Sequence, residues 1–203
     1  MDIFFFIGTV SFTLTGYLLG VRKRFDWLGV AILALLTAVG GGVLRDVLIQ
    51  RTPRILYQND TLWVIAATLA LAWGLRLQTR RAPQLERLFI LADSIGLVAF
   101  SIGGAQIGAM LGLSAFGVAM LGFISAVGGG MIRDMLVNDI PFILHRDFYG
   151  AVSILVALGW HALNQLGWQR PETEYALFAL GLALRLWAHR QELRLPAPDA
   201  SGH

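Results

Sequence analysis

The chain has 203 residues, of which 56% are hydrophobic and 14% charged, with a net charge of +3. Soluble domains carry about a quarter charged residues and slightly under half apolar ones, so this composition excludes a water-soluble globule. The apolar excess excludes a disordered chain, and the absence of cysteine excludes a disulfide scaffold. With a mean hydropathy of +0.65 and a pI near 9.8, a polytopic membrane protein remains.

A helix needs about 20 mainly apolar residues to cross a hydrocarbon core roughly 30 Å thick. In chain order the predicted spans are residues 3–21, 27–50, 61–77, 88–111, 115–137, 148–166 and 174–189. Seven spans occupy about 140 residues, which leaves short connections and a tail, 191–203, whose Pro196 and Pro198 disfavour helix. Met1-Asp2 lacks the basic start of a cleavable signal, and Arg22-Lys23-Arg24 follows the first apolar run instead of preceding it. The loops on that side collect Arg22, Lys23, Arg24, Arg76, Arg80, Arg81, Arg87, Arg146, Arg185, Arg190 and Arg194. The other side collects Arg51, Arg54 and Arg170. By the positive-inside rule the N-terminus is expected outside and the C-terminus in the cytoplasm. Basic residues dispersed over many short loops argue against nucleic acid as a partner.

The segment AVGGGVLRDVL at 38–48 returns as AVGGGMIRDML at 126–136, 88 residues later. Extended without gaps, that offset aligns 7–58 with 95–146 and gives 21 identities in 52 positions. They include Gly8/Gly96, Phe12/Phe100, Gly16/Gly104, Gly20/Gly108 and Pro53/Pro141. Glycines, prolines and charges all match, so the chain is an internal duplication. Each unit holds three spans, and an odd number forces the second copy to enter the membrane in the opposite direction. The expected fold is an all-α polytopic membrane protein of seven transmembrane helices, two inverted three-helix repeats plus a seventh helix. Residues 1–60 and 61–87 form the first repeat with its linker, 88–170 the second, 171–190 the seventh helix and 191–203 a cytoplasmic tail. Such repeats occur in channels and secondary transporters, with the site between them near the midplane. A duplicated scaffold with no pathway is the bland reading.

Gly40, Gly41 and Gly42, and again Gly128, Gly129 and Gly130, fall inside the second helix of each repeat. Each glycine costs a helix interior about 1 kcal/mol relative to alanine, so a triplet predicts a kink or break with functional backbone. Close helix packing is the competing reading, and it suits the spaced glycines at 16, 20, 104, 108 and 112 better. Three residues beyond each triplet stand Arg45-Asp46 and Arg133-Asp134. Charges at a helix centre cost about 2.5–3.5 kcal/mol each in a membrane, so lipid-facing positions are disfavoured. Either the arginines face an aqueous path, or the charges form ion pairs that hold the repeats together. Thr37 and Ser125, one turn before the triplets, are candidate pore hydroxyls. Asp93 beside Ser94 reads as a cap for the fourth span. His145, His161 and His189 have no metal-ligand spacing, and no metal or cofactor is expected. The six tryptophans, mostly near span ends, read as an aromatic belt.

On these residues the chain resembles the prokaryotic branch of the TRIC family, the trimeric intracellular cation channels. The resemblance rests on the two GGG-x-x-R-D units, 40–46 and 128–134, the prolines at 53 and 141, and the 3+3+1 layout. It implies a symmetric homotrimer in the bacterial inner membrane, with a pore in each protomer between the inverted repeats. It also implies kinks at Gly40–Gly42 and Gly128–Gly130 around that pore, with Arg45 and Arg133 governing the path. Membrane lipid and monovalent cations are the expected partners, with permeant K⁺ or Na⁺ and bound lipid in place of any cofactor. The animal Lys-Glu-Val signature is replaced here by Gly-Val-Leu-Arg-Asp at 42–46. A K⁺ channel is the leading expectation. A carrier for a small solute, such as an amino acid held through its carboxylate by Arg45 or Arg133, is the alternative. No HExxH, GxSxG or cysteine nucleophile is present, which argues against an enzyme.

Overall fold

A computed structural model describes residues 2–145 and 148–191. The helices are α1 (Ile3–Arg22), α2 (Trp27–Leu48), α3 (Asp60–Gly74), α4 (Ala82–Met110), α5 (Ala115–Leu136), the single-turn α6 (Phe142–His145), α7 (Tyr149–Gln165) and α8 (Pro171–Arg190). No strand occurs among the described residues. The tail beyond Gln191, with Pro196 and Pro198, lies outside them, as does Arg146.

Every predicted span holds a helix, and the differences lie at the ends. α4 starts at Ala82, six residues before the predicted 88, because Pro83 opens it and its first turns are polar. α8 starts at Pro171 for the same reason, with Thr173 and Arg170 closing a capping arrangement. α1, α2, α4 and α5 combine the length and apolarity of membrane-crossing helices, whereas α3 is apolar but has only 15 residues. The outward faces of α2, α3 and α8 carry exposed Val47, Leu71 and Leu180, a pattern suited to lipid and unsuited to water. Trp27, Trp63, Trp73, Trp168 and Trp187 are exposed, but Trp160 is buried and donates from Nε1 to Glu174 at 3.0 Å. It belongs to the core, not to an aromatic belt.

The two halves repeat each other's local chemistry. Asp26 caps α2 by accepting from Gly29 N–H at 2.7 Å, and Ser114 caps α5 by accepting from Gly117 N–H at 3.3 Å. α1 and α4 run antiparallel, for the Phe12 ring fills the space beside Gly96 and the Phe100 ring the space beside Gly8. The two rings meet edge to face at 5.2 Å. This mutual seating is what an inverted duplication requires, with each repeat supplying the knob for the other's hole. α7 packs on α4 and α5, and α8 covers α7 and α4, so the second repeat is wrapped on a side where the first is open.

Candidate functional site

α2 and α5 cross at their glycine triplets and run unbroken through them. The break expected from three consecutive glycines is absent, and the glycines serve close approach. A Cβ on Gly41 would strike the carbonyl oxygen of Ser125, and one on Gly129 the carbonyl oxygen of Thr37. A Cβ on Gly128 would sit 2.9 Å from Gly41 Cα. The third glycines differ, because the nearest atom to a Cβ is 3.7 Å away at Gly42 and 3.5 Å away at Gly130. Thr37 and Ser125 are buried at this crossing and donate to Leu33 and Leu121 carbonyls one turn back, at 2.6 and 2.7 Å. It is their backbone carbonyls, not their hydroxyls, that meet the facing helix.

Beyond the crossing each Arg-Asp pair closes on itself. Arg45 donates from Nε and Nη2 to Asp46 Oδ1 at 2.9 and 2.7 Å, and Arg133 donates from Nε to Asp134 Oδ1 at 2.8 Å. The long guanidinium stem bridges the 100° step between adjacent helical residues. The second oxygen of each aspartate accepts a backbone N–H eight residues on, from Arg54 at 3.3 Å and Phe142 at 3.1 Å. These acceptances hold the chain just past Pro53 and Pro141, so the motif and its distant proline form one structural unit. Between them, Gln50 and Asn138 adopt φ of 55° and 58°, and the Arg51 and Asp139 N–H groups donate to the Asp46 and Asp134 carbonyls. That is a Schellman ending on both helices.

The copies then diverge. Arg133 is fully buried and also donates from Nη1 to Asp93 Oδ1 at 2.9 Å, beneath the Phe89 ring at 4.7 Å. Asp93, expected as a cap, lies deep inside α4 and pairs that helix with α5 inside the second repeat. The position equivalent to Asp93 in the first repeat is Phe5, and Arg45 lies over its ring at 5.1 Å. Arg45 thus has one acid where Arg133 has two, while each keeps one buried terminal nitrogen without an acceptor, Nη1 of Arg45 and Nη2 of Arg133. Arg185 was expected to be a topology-setting charge. It is buried on α8, with its guanidinium 4.8 Å from the Tyr149 ring. Its sequence signal was its place inside the apolar run 176–188 instead of in a loop. Of the histidines, His161 is on α7 with a buried Nδ1 lacking a partner, His189 lies in the last turn of α8, and the side chain of His145 is outside the described set. No cluster of three metal-binding side chains occurs among the described residues.

Two clefts flank the crossing. The first, of about 710 Å³, is bounded by Phe5, Thr9, Phe100 and Ile107 from α1 and α4 and by Gly42, Arg45 and Asp46. The second, of about 1970 Å³, is bounded by Leu18, Leu19, Lys23, Phe89, Asp134 and Asp139. Thr9 and Leu18 on α1 are separated by about 14 Å along the helix axis at 1.5 Å per residue, and Phe12, Phe100 and the glycine crossing fill that interval. Arg133 borders neither of these two clefts.

An inverted pair of three-helix units, closed at a glycine crossing and opening to a cleft at each end, defines a membrane protein of the channel and transporter class. The chain belongs to the prokaryotic branch of the TRIC family. The family model described as "Glycine transporter" matches it twice, at residues 2–77 and 90–165. A "UPF0126 membrane protein" of Deinococcus radiodurans is 39% identical, covering 94% of this chain and 88% of its own. The "UPF0126 inner membrane protein YadS" of Escherichia coli K12 is 33% identical over 97% and 96%. Among solved structures, one described as "Structural basis for conductance through TRIC cation channels" superposes with a TM-score of 0.83 at 32% identity, covering 100% of this chain and 99% of that one. The TRIC channel orthologue of Rhodobacter sphaeroides superposes at 0.86 with 27% identity, over 94% and 97%.

Proposed function

We propose that this protein is a passive channel for monovalent cations, chiefly K⁺, with one pore per protomer between the inverted repeats. It acts as a homotrimer in the bacterial inner membrane, N-terminus outside and C-terminus cytoplasmic, with bound lipid and no cofactor. The carrying observation is the pair of clefts at opposite ends of α1 and α4, divided by the α2–α5 crossing. Parting α2 from α5 joins the clefts into a path, and this makes the triplets Gly40–Gly42 and Gly128–Gly130 the gate. Arg45 and Asp46 sit at the outer mouth and Asp134 at the inner one, while Arg133 stands behind the wall as an anchor. The solved neighbours support this reading, since they are described as TRIC cation channels, one of them studied in 0.5 M KCl. The test is recording from purified protein in planar bilayers, where unitary K⁺ currents are expected. Their absence with reconstitution confirmed counts against a channel.

A second reading is a carrier for a small solute, favoured by the family description as a glycine transporter. Two clefts on either side of a closed centre also suit alternating access. Saturable uptake in proteoliposomes driven by a Na⁺ or H⁺ gradient, without unitary currents, would select it.

A further inference from the structure

The two copies of the Arg-Asp motif keep the same backbone but surround it with opposite charge. Around Arg45 stand Phe5, Arg51 and Arg54; the equivalent positions around Arg133 are Asp93, Asp139 and Phe142. Among the described residues, the first cleft is lined by three arginines, with Asp46 its sole acidic residue. Asp46 is already occupied by Arg45 Nε and Nη2 and by the Arg54 backbone N–H. Arg54 pairs from Nη2 with Asp60 at 2.5 Å, outside that lining. Of the arginines lining this cleft, two nitrogens are buried with no acceptor, Arg45 Nη1 and Arg54 Nε. Arg45 is only 5% exposed, so water is a poor substitute for the missing acceptor. In the second cleft the acids Glu86, Asp134 and Asp139 offset the bases, with Lys23 and Asp139 paired at 2.6 Å.

We propose that the first cleft is a binding site for one small anion, a carboxylate or an inorganic oxyanion, seated on the free Nη1 of Arg45 with Arg54 Nε and Arg51 beside it. Guanidinium donors suit planar or tetrahedral oxyanions, because their charged N–H groups lie in a rigid planar fork whose spacing matches that of two oxygens on one centre. The Phe5 and Phe100 walls exclude water from one side of the anion and strengthen its attraction to Arg45. A second anion is not accommodated at Arg133, which borders neither cleft and is fully buried against two acids, Asp93 and Asp134, although its Nη2 also lacks an acceptor. On the channel reading proposed above, a bound anion cancels the positive field that Arg45, Arg51 and Arg54 present to an entering cation, and so raises conductance.

The test is isothermal titration of the purified, detergent-solubilised protein with sodium acetate, glycine and inorganic phosphate in separate runs at fixed NaCl. Saturable binding of at least one probe, one site per chain, is expected. Acetate and glycine binding alike identifies a carboxylate site; phosphate alone identifies an oxyanion site. Phe5→Asp gives Arg45 the acid that Arg133 has and is expected to weaken binding about tenfold or more. Arg54→Gln, on a partly exposed residue, does the same and carries the test should Phe5→Asp fail to fold. Asp139→Asn at the second cleft leaves affinity unchanged. Absence of saturable binding for all three probes, or unchanged affinity in Phe5→Asp and Arg54→Gln, overturns the proposal. Binding is read without conduction, so a protein that conducts K⁺ yet binds no anion refutes this site alone, and one that binds but never conducts refutes the channel alone.

Discussion

Replacing Gly41 by alanine places a methyl group against the Ser125 carbonyl oxygen, a backbone atom that no rotamer change can move aside. Overpacking of this kind costs about 1–3 kcal/mol, and a backbone obstacle puts it at the upper end. Alanine returns about 1 kcal/mol in helix propensity, so the net loss is about 2 kcal/mol. For a chain of this length that is a fall in unfolding temperature of about 4–8 °C. Gly129→Ala is expected to match it, since its methyl meets the Thr37 carbonyl and, at 3.1 Å, the Phe12 ring. Gly42→Ala is expected to do the opposite. Its nearest neighbour is the Arg45 guanidinium at 3.7 Å, so the propensity gain stands unopposed and the unfolding temperature rises by about 2–4 °C. Thermal unfolding of the three variants in one detergent decides the matter. Equal destabilisation at Gly41 and Gly42 would refute close approach as the purpose of the triplet and restore backbone flexibility as its role.

Arg133→Ala leaves Asp93 and Asp134 buried without their cation and is expected to cost about 3–5 kcal/mol. Arg45→Ala, which strands one acid beside an open cleft, is expected to cost less and to change conductance; equal losses of stability would contradict the anchor-and-mouth division. Asp46→Asn weakens the hold on the chain past Pro53, so hydrogen exchange at the Arg54 amide is expected to quicken, and unchanged exchange would refute that role. Lys23→Met removes a half-exposed pair with Asp139 and is expected to change stability by under about 1 kcal/mol in denaturant titration.

The inverted duplication was readable because glycines, prolines and charges recur at one offset, and those residue types are poorly interchangeable in a helical membrane protein. The helix ends were less readable, since apolar counting passes over polar first turns such as APQLER at 82–87. The triplets misled because consecutive glycines suggest a break when the helix is considered alone, whereas a facing helix converts the same absence of side chains into contact. The bonding of Thr37 and Ser125 likewise depends on their surroundings. A hydroxyl in an apolar helix is satisfied most cheaply by its own carbonyl one turn back. Asp93 and Arg185 were missed because burial of a charge depends on which helix faces it. The divergence between Arg45 and Arg133 was within reach, since the alignment begins at Ile7, two positions past the Phe5/Asp93 pair that separates them.

The most direct measurement is the reversal potential of purified protein in a planar bilayer under a tenfold KCl gradient. A cation-selective pore is expected to reverse close to the K⁺ equilibrium potential, about 59 mV in magnitude, and to move little when Cl⁻ is replaced by a larger anion. Reversal near zero or on the Cl⁻ side, or no unitary current at all from protein shown to be reconstituted, would contradict a cation channel in this fold.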